Sequence, residues 1–365
     1  MMHAQWIDSW KGILITLVVL GHVAGGAVHL VPEGLTRDLC QCIYDVIYAF
    51  HMPAFFCVAG YAWRPNAESW GQFAFRKARR LLVPYFFWGV FSIVVFSLAS
   101  CLFMRHGGSF CDSYYDGKGA LGIWAYFVGL FSCGAWPLND EAYRYNSVLW
   151  FLPAMFVAVL SFRCIVRFCG LNKSRFVLCV LVLSFLSLVG RVSAPRWLPV
   201  RLHYMPNYLL LMLLGYVYAK GVRCKHPTGR VGGIAVMLAV GLFIFTRVLL
   251  PNASVSYVSY SWAIVFLGLT IAGSFISLQL AKLFDSKLLA TIGRASLTIM
   301  LLHKFLVVGL EMSVTSVRQW LCAGVSNALF VVVSICILSM LVCWCADRIL
   351  KHLFPISLGF SIERT

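Results

Sequence analysis

Apolar residues run along this chain in repeated blocks of about 20, parted by short polar stretches that hold most of its Lys and Arg. A block of that length matches the helix needed to cross a bilayer core about 30 Å thick. The blocks fall at about 12–31, 43–63, 81–104, 147–168, 175–192, 204–219, 231–250, 258–281, 289–310 and 325–346. Each is read as a membrane-spanning helix. Leu121 to Trp136 is shorter and Gly-rich, and reads either as an eleventh span or as a re-entrant or interfacial segment. The first block carries Asp8 and Lys11, is longer than a signal-peptide core and is followed by no clear small-residue cleavage site. It is therefore taken as the first span.

Positive charge chooses between ten spans and eleven. With ten spans and the N-terminus inside, the inner segments hold 20 of the 30 Lys and Arg. If 121–136 also crosses, every later segment flips and the split becomes 13 inside against 17 outside. The positive-inside tendency favours ten spans with both termini cytoplasmic and 105–146 as an outer loop. The expected architecture is all-α, a polytopic transmembrane helical bundle, with 1–365 forming one membrane domain.

Composition supports this. Hydrophobic residues make up 61% of the 365, charged residues 12%, and the mean hydropathy is +0.84. A surface so poor in charge has to face lipid. The net charge of +17 lies in short clusters between apolar runs, so it reads as topogenic rather than as a nucleic-acid surface. Many of the 14 Cys, among them Cys57, Cys179, Cys336, Cys343 and Cys345, fall inside apolar blocks and behave as small hydrophobes. Neither Cys40-Gln41-Cys42 nor Cys343-Trp344-Cys345 has metal-ligand spacing, and no metal is expected.

Ionisable residues within spans are expensive and therefore informative. His22, His51 and His303 lie in the first, second and ninth blocks, roughly 14, 12 and 10 Å below the expected outer ends at 1.5 Å per residue. Similar depth on three helices points to one shared polar cavity, although each His alone is equally well explained by a bond to a backbone carbonyl. Lys11 and His22 are eleven residues apart, which puts them on one helix face about 16 Å apart, with Asp8 near the same stripe. Pro53 deprives the carbonyl near Ala49 of its helical donor, and next to His51 such a break suits a cavity lining. Arg76, Lys77, Arg79 and Arg80 cluster at the inner start of the third span. They read either as an anchor or as a phosphate-binding group.

Taken in order, these segments resemble the acyltransferase family 3 membrane proteins, which include bacterial O-acetyltransferases of surface polysaccharides. The matching text is Trp6-Ile7-Asp8-Ser9-Trp10-Lys11-Gly12 with Leu20-Gly21-His22, then Phe50-His51-Met52-Pro53 with Phe55-Phe56 and Gly60-Tyr61. Arg76-x-x-Arg79 with Leu81-Leu82-x-Pro84-Tyr85 follows, then Leu149-Trp150-Phe151-Leu152, then Ile292-Gly293-Arg294-Ala295-Ser296-Leu297 leading to Leu302-His303. Two departures stand out: Ala59-Gly60 replaces the more usual Ser-Gly, and Lys11 replaces an Arg and so cannot make a bidentate contact. Many relatives carry an extracytoplasmic hydrolase-like domain after the spans. This chain runs about 20 residues past the last block, so any second transfer step is expected of another protein.

The resemblance implies transfer of an acyl group, usually acetyl, from cytoplasmic acetyl-CoA to a carbohydrate hydroxyl at a bacterial inner membrane. On that reading Arg76, Arg79 and Arg80 hold the phosphates of CoA, and the pantetheine arm follows the Lys11–His22 face. His22 meets the thioester, with Asp8, Lys11, His51 and His303 in support. The acceptor arrives from outside, with Trp150 and Tyr61 as candidate contacts; Trp150 reads equally well as part of an interfacial aromatic belt. A neutral imidazole takes a proton from a hydroxyl, or attacks the thioester itself, and the first is favoured. The rival reading is a transporter or flippase with the His groups along a proton path. The internal repeats common in transporters are not seen.

Overall fold

Backbone amides and carbonyls inside a bilayer bond chiefly to one another, which makes the helix the natural form for apolar runs like these. The computed structural model describes residues 5–65, 67–104, 119–133, 146–170, 172–193, 199–224, 260–313 and 315–360, and every regular element among them is helical. In chain order these are α1 (Gln5–Leu30), α2 (Leu35–Tyr61), α3 (Trp70–Met104), α4 (Gly119–Phe131), α5 (Phe151–Cys169) and α6 (Lys173–Ser193). After a 3-10 turn at Pro199–Tyr204 come α7 (Met205–Cys224), α8 (Tyr260–Leu283), α9 (Lys287–Arg294), α10 (Ser296–Ser313), α11 (Thr315–Cys322) and α12 (Val325–Leu353), closed by a 3-10 turn at Pro355–Leu358.

Seven of the described helices are long and apolar enough to cross a membrane: α1, α2, α3, α5, α6, α8 and α12. The count is eight if α9 and α10 make one broken span. This is a polytopic membrane helical bundle. The expected span at 231–250 lies outside the described residues. Among the described residues the bundle differs from the expected spans in two places. The block at 204–219 is α7, which stands apart from the seven and whose Leu210, Leu211, Met212 and Leu213 are wholly enclosed. The block at 289–310 is not one helix: α9 and α10 meet at Ala295 with a bend of 75°. At its other end α9 is capped by Ser286, whose Oγ accepts from the Leu289 amide at 3.1 Å. The segment read as an eleventh span or a re-entrant piece forms α4. Its 13 residues rise about 20 Å, short of a bilayer core.

The chain clusters into two compact units of interleaved segments, where the sequence reads as one domain. The first comprises Met1–Pro65, Ser161–Ala194 and Tyr204–Trp344. Its centre is α1, which packs on α2, α8, α9 and α10 and buries Trp10, Leu14, Ile15, Val18 and Val19 almost completely. Close crossings depend on glycine. A Cβ on Gly12 would meet the Leu289 carbonyl and one on Gly293 the Asp8 carbonyl, so α1 and α9 touch backbone to backbone. Gly60 and Gly215 do the same between α2 and α7. The carbonyl of Ala49, which Pro53 leaves without its helical amide, accepts instead from Thr270 Oγ1 of α8 at 2.9 Å. By contrast α6 exposes Val177, Leu178, Leu181, Val182 and Phe185, a face suited to lipid.

The second unit comprises Asn66–Leu160, Pro195–His203 and Cys345–Thr365. Here α4 lies on α3: Tyr85 donates to the Leu130 carbonyl at 2.8 Å, and Leu130 fills the space over Gly89. The turn at Pro355–Leu358 also packs on α3, where Trp88 Nε1 donates to the Ser357 carbonyl at 3.0 Å.

Candidate active site

Within the first unit, three helices bring the three intramembrane histidines into one cluster. The ring centroids of His22 (α1) and His303 (α10) are 5.1 Å apart. Tyr48 of α2 joins the group: its Oη lies 3.0 Å from His22 Nδ1, and its ring meets the His51 ring edge-on at 4.8 Å. The three residues gather together, and two of them are also tied to carbonyls. His51 Nδ1 bonds the Ile47 carbonyl at 2.7 Å and His303 Nδ1 the Ile299 carbonyl at 2.8 Å, each four residues back on its own helix. His303 is fully buried and its Nε2 has no hydrogen-bond partner, His51 is 3% exposed, and His22 is only half-buried. Of the three residues, His22 keeps the most accessible surface. Chemically the cluster offers imidazole nitrogens and a phenol in a region where water is scarce, a setting for proton transfer.

Lys11 and Asp8 sit about three and about four turns away along α1, paired at 3.0 Å. Asp8 is largely buried and also faces Arg294 of α9 at 3.9 Å. Nearby, Ser9 Oγ donates to Asp285 at 2.7 Å, so the start of α1 is tied to the start of α9 by polar contacts as well as by glycines. Tyr61 departs from its expected place. It packs against Trp6 (5.0 Å) and Trp10 (6.2 Å) at the start of α1, ten residues and so about 15 Å along α2 from His51. The cause is that α1 and α2 run in opposite directions, so the end of one lies beside the beginning of the other. The same aromatic group takes in Tyr218, and Lys282 Nζ lies over Trp6 at 5.3 Å.

In the second unit the basic cluster is already engaged. Arg76 donates twice to Glu68, at 3.0 and 2.7 Å. Arg79 donates to the Phe360 carbonyl at 3.5 Å, and the Arg80 guanidinium lies 4.9 Å above the Phe360 ring. Gly359, at φ 72°, lets the chain turn closely over the Arg79 and Arg80 backbone. Trp150 sits half-buried in the turn before α5, edge-on to Phe151 at 6.2 Å. Sequence reasoning missed Tyr48, Glu68, Asp285, Arg294 as a partner of Asp8, and Phe360. Among the described residues no group of His, Cys, Asp and Glu is arranged to hold a metal ion.

Two comparisons with known proteins bear on this arrangement. A family model described as "Acyltransferase domain" matches residues 4–348. Over 83 residues the chain is 36% identical to a protein named nodulation protein NolL from Mesorhizobium japonicum (strain LMG 29417 / CECT 9101 / MAFF 303099). That match covers 22% of this chain and 21% of the relative, so the chain spans about a fifth of the relative's length. No solved structure matches.

Proposed function

Since the chain belongs to the membrane acyltransferase family whose domain it matches over residues 4–348, we propose that it moves an acetyl group from acetyl-CoA to a hydroxyl of a cell-surface or lipid-linked carbohydrate in a bacterial inner membrane. The observation that carries this reading is the His22 imidazole beside His303 and Tyr48, gathered from three helices of one unit. His22 acts as the general base. It takes the proton of the acceptor hydroxyl while that oxygen attacks the thioester carbonyl carbon. The carbon–sulfur bond then breaks, and the departing thiolate takes the proton back from the imidazolium to leave as free CoA.

His51 and His303 support the acceptor side, each holding a fixed ring with Nε2 free of the helix carbonyl. Lys11 and Asp8 serve the arm of the donor along α1. Arg76, Arg79 and Arg80 bind its phosphates, Arg76 and Arg79 exchanging their contacts with Glu68 and the Phe360 carbonyl for phosphate oxygens. Trp150 is a stacking surface for the sugar. Tyr61, placed with Trp6 and Trp10, belongs on this reading to the donor side. The donor end of the site faces the cytoplasm, as do both termini.

Vesicles containing the purified protein test this against transport. Supplied with acetyl-CoA on the basic side and candidate glycans, they should release free thiol only when both are present, and His22→Ala should abolish the release. Glycan movement across the vesicle wall without thiol release would replace the proposal with the transport reading.

A further inference from the structure

His51 and His303 each direct Nδ1 at a backbone carbonyl, at 2.7 and 2.8 Å. A carbonyl only accepts, so in both neutral rings the hydrogen is on Nδ1 and the lone pair on Nε2. For His22 the Nδ1 contact is a side chain, Tyr48 Oη, at 3.0 Å, with Nε2 farther at 3.4 Å. A phenol both donates and accepts. Donation to Nδ1 would leave the hydrogen of His22 on Nε2, and the ring would offer no lone pair to a substrate. Acceptance from the nearer Nδ1 leaves the Nε2 lone pair to face a substrate, with the phenol oxygen 3.4 Å from it.

Tyr48 is closely packed against α1, where glycines make room for it. Gly21 and Gly25 flank His22 on α1, and Tyr44 and Tyr48 on α2 have the same spacing of four. A Cβ on Gly25 would lie 2.8 Å from the Tyr44 ring, and one on Gly21 would lie 3.2 Å from the Tyr48 ring. The two tyrosine rings stack at 3.9 Å, and His51 closes the far side of Tyr48. The phenol is thereby seated by α1, by Tyr44 and by His51, with its oxygen at the imidazole.

We infer that Tyr48 is a positioning residue whose oxygen accepts the Nδ1 hydrogen of His22, fixing the tautomer that presents the Nε2 lone pair to the acceptor hydroxyl. This rests on the general-base reading of His22. The bond also strengthens when the ring becomes cationic during the reaction, so its effect belongs to the chemical step.

The test uses the whole protein in bilayers with acetyl-CoA and a carbohydrate acceptor. Tyr48→Phe keeps the stacked ring and removes only the oxygen. It should lower kcat about 10- to 100-fold, the range of a hydrogen bond to a charged group, with both KM values unchanged. Nitrogen NMR of ring-labelled histidine, assigned by difference against His22→Asn, should place the His22 hydrogen on Nδ1 in the unaltered protein. Unchanged kcat in Tyr48→Phe overturns the inference, as does a hydrogen found on Nε2, and the NMR result stands even if the variant fails to fold. If the hydrogen is on Nδ1 but His22→Asn keeps full activity, the catalytic reading of His22 fails instead.

Discussion

At the scale of single residues, ion pairing shows how the fold holds a polar group that the proposal places beside the donor. Asp8, largely enclosed, balances Lys11 at 3.0 Å and Arg294 at 3.9 Å. Both cations retain solvent exposure, so the pairs are worth less than fully buried ones. Asp8→Asn should lower stability by only about 1–2 kcal/mol, read as a fall in apparent melting temperature in detergent. No fall at all would mean that the two cations find equivalent partners elsewhere. The three histidines were legible in the sequence because an imidazole in an apolar run stands out. Tyr48 was not, since one tyrosine in a chain that is 15% aromatic carries no such signal. Glu68 and Phe360 were hidden for another reason: their contacts with the arginines come from the path of the chain and not from any local pattern.

At the scale of helices, close approach decides which pairs form the core. The contact of α1 with α9 leaves no room for a methyl group at Gly12 or Gly293, since each would meet a carbonyl that cannot swing away. Gly12→Ala and Gly293→Ala should each cost about 1–3 kcal/mol or more and reduce the yield of folded protein. Gly71→Ala, with nothing within 4 Å of the added carbon, should be silent. Equal behaviour of the three variants in a melting assay would contradict the backbone-to-backbone packing. The helical blocks were legible because membrane spans need long apolar runs. The break at Ala295 was not read, although Gly293 and Ser296 on its two sides are residues that favour helix ends, because the apolar run continues across the 75° bend. The fate of the Ala49 carbonyl shows both sides. Pro53 announces that it loses a partner, but only the fold reveals that Thr270 replaces it.

At the scale of the whole molecule, the chain combines a bilayer-spanning bundle with two kinds of polar equipment, imidazoles inside it and guanidinium groups on α3. The proposed donor carries several phosphate charges. Replacing Arg79 and Arg80 together by Gln should raise the KM for acetyl-CoA about tenfold while leaving kcat nearly unchanged, measured by thiol release. An unchanged KM would reduce the cluster to a membrane anchor. The measurement that bears most directly on the account follows the acetyl group itself. Purified protein in bilayers is given acetyl-CoA labelled with heavy carbon in the acetyl group, and the glycan is analysed by mass spectrometry. The account predicts labelled O-acetyl ester on the carbohydrate, formed by the unaltered protein and absent with His22→Ala. Ester formed at the same rate by that folded variant, or no ester from any surface glycan of the source cell, would contradict it.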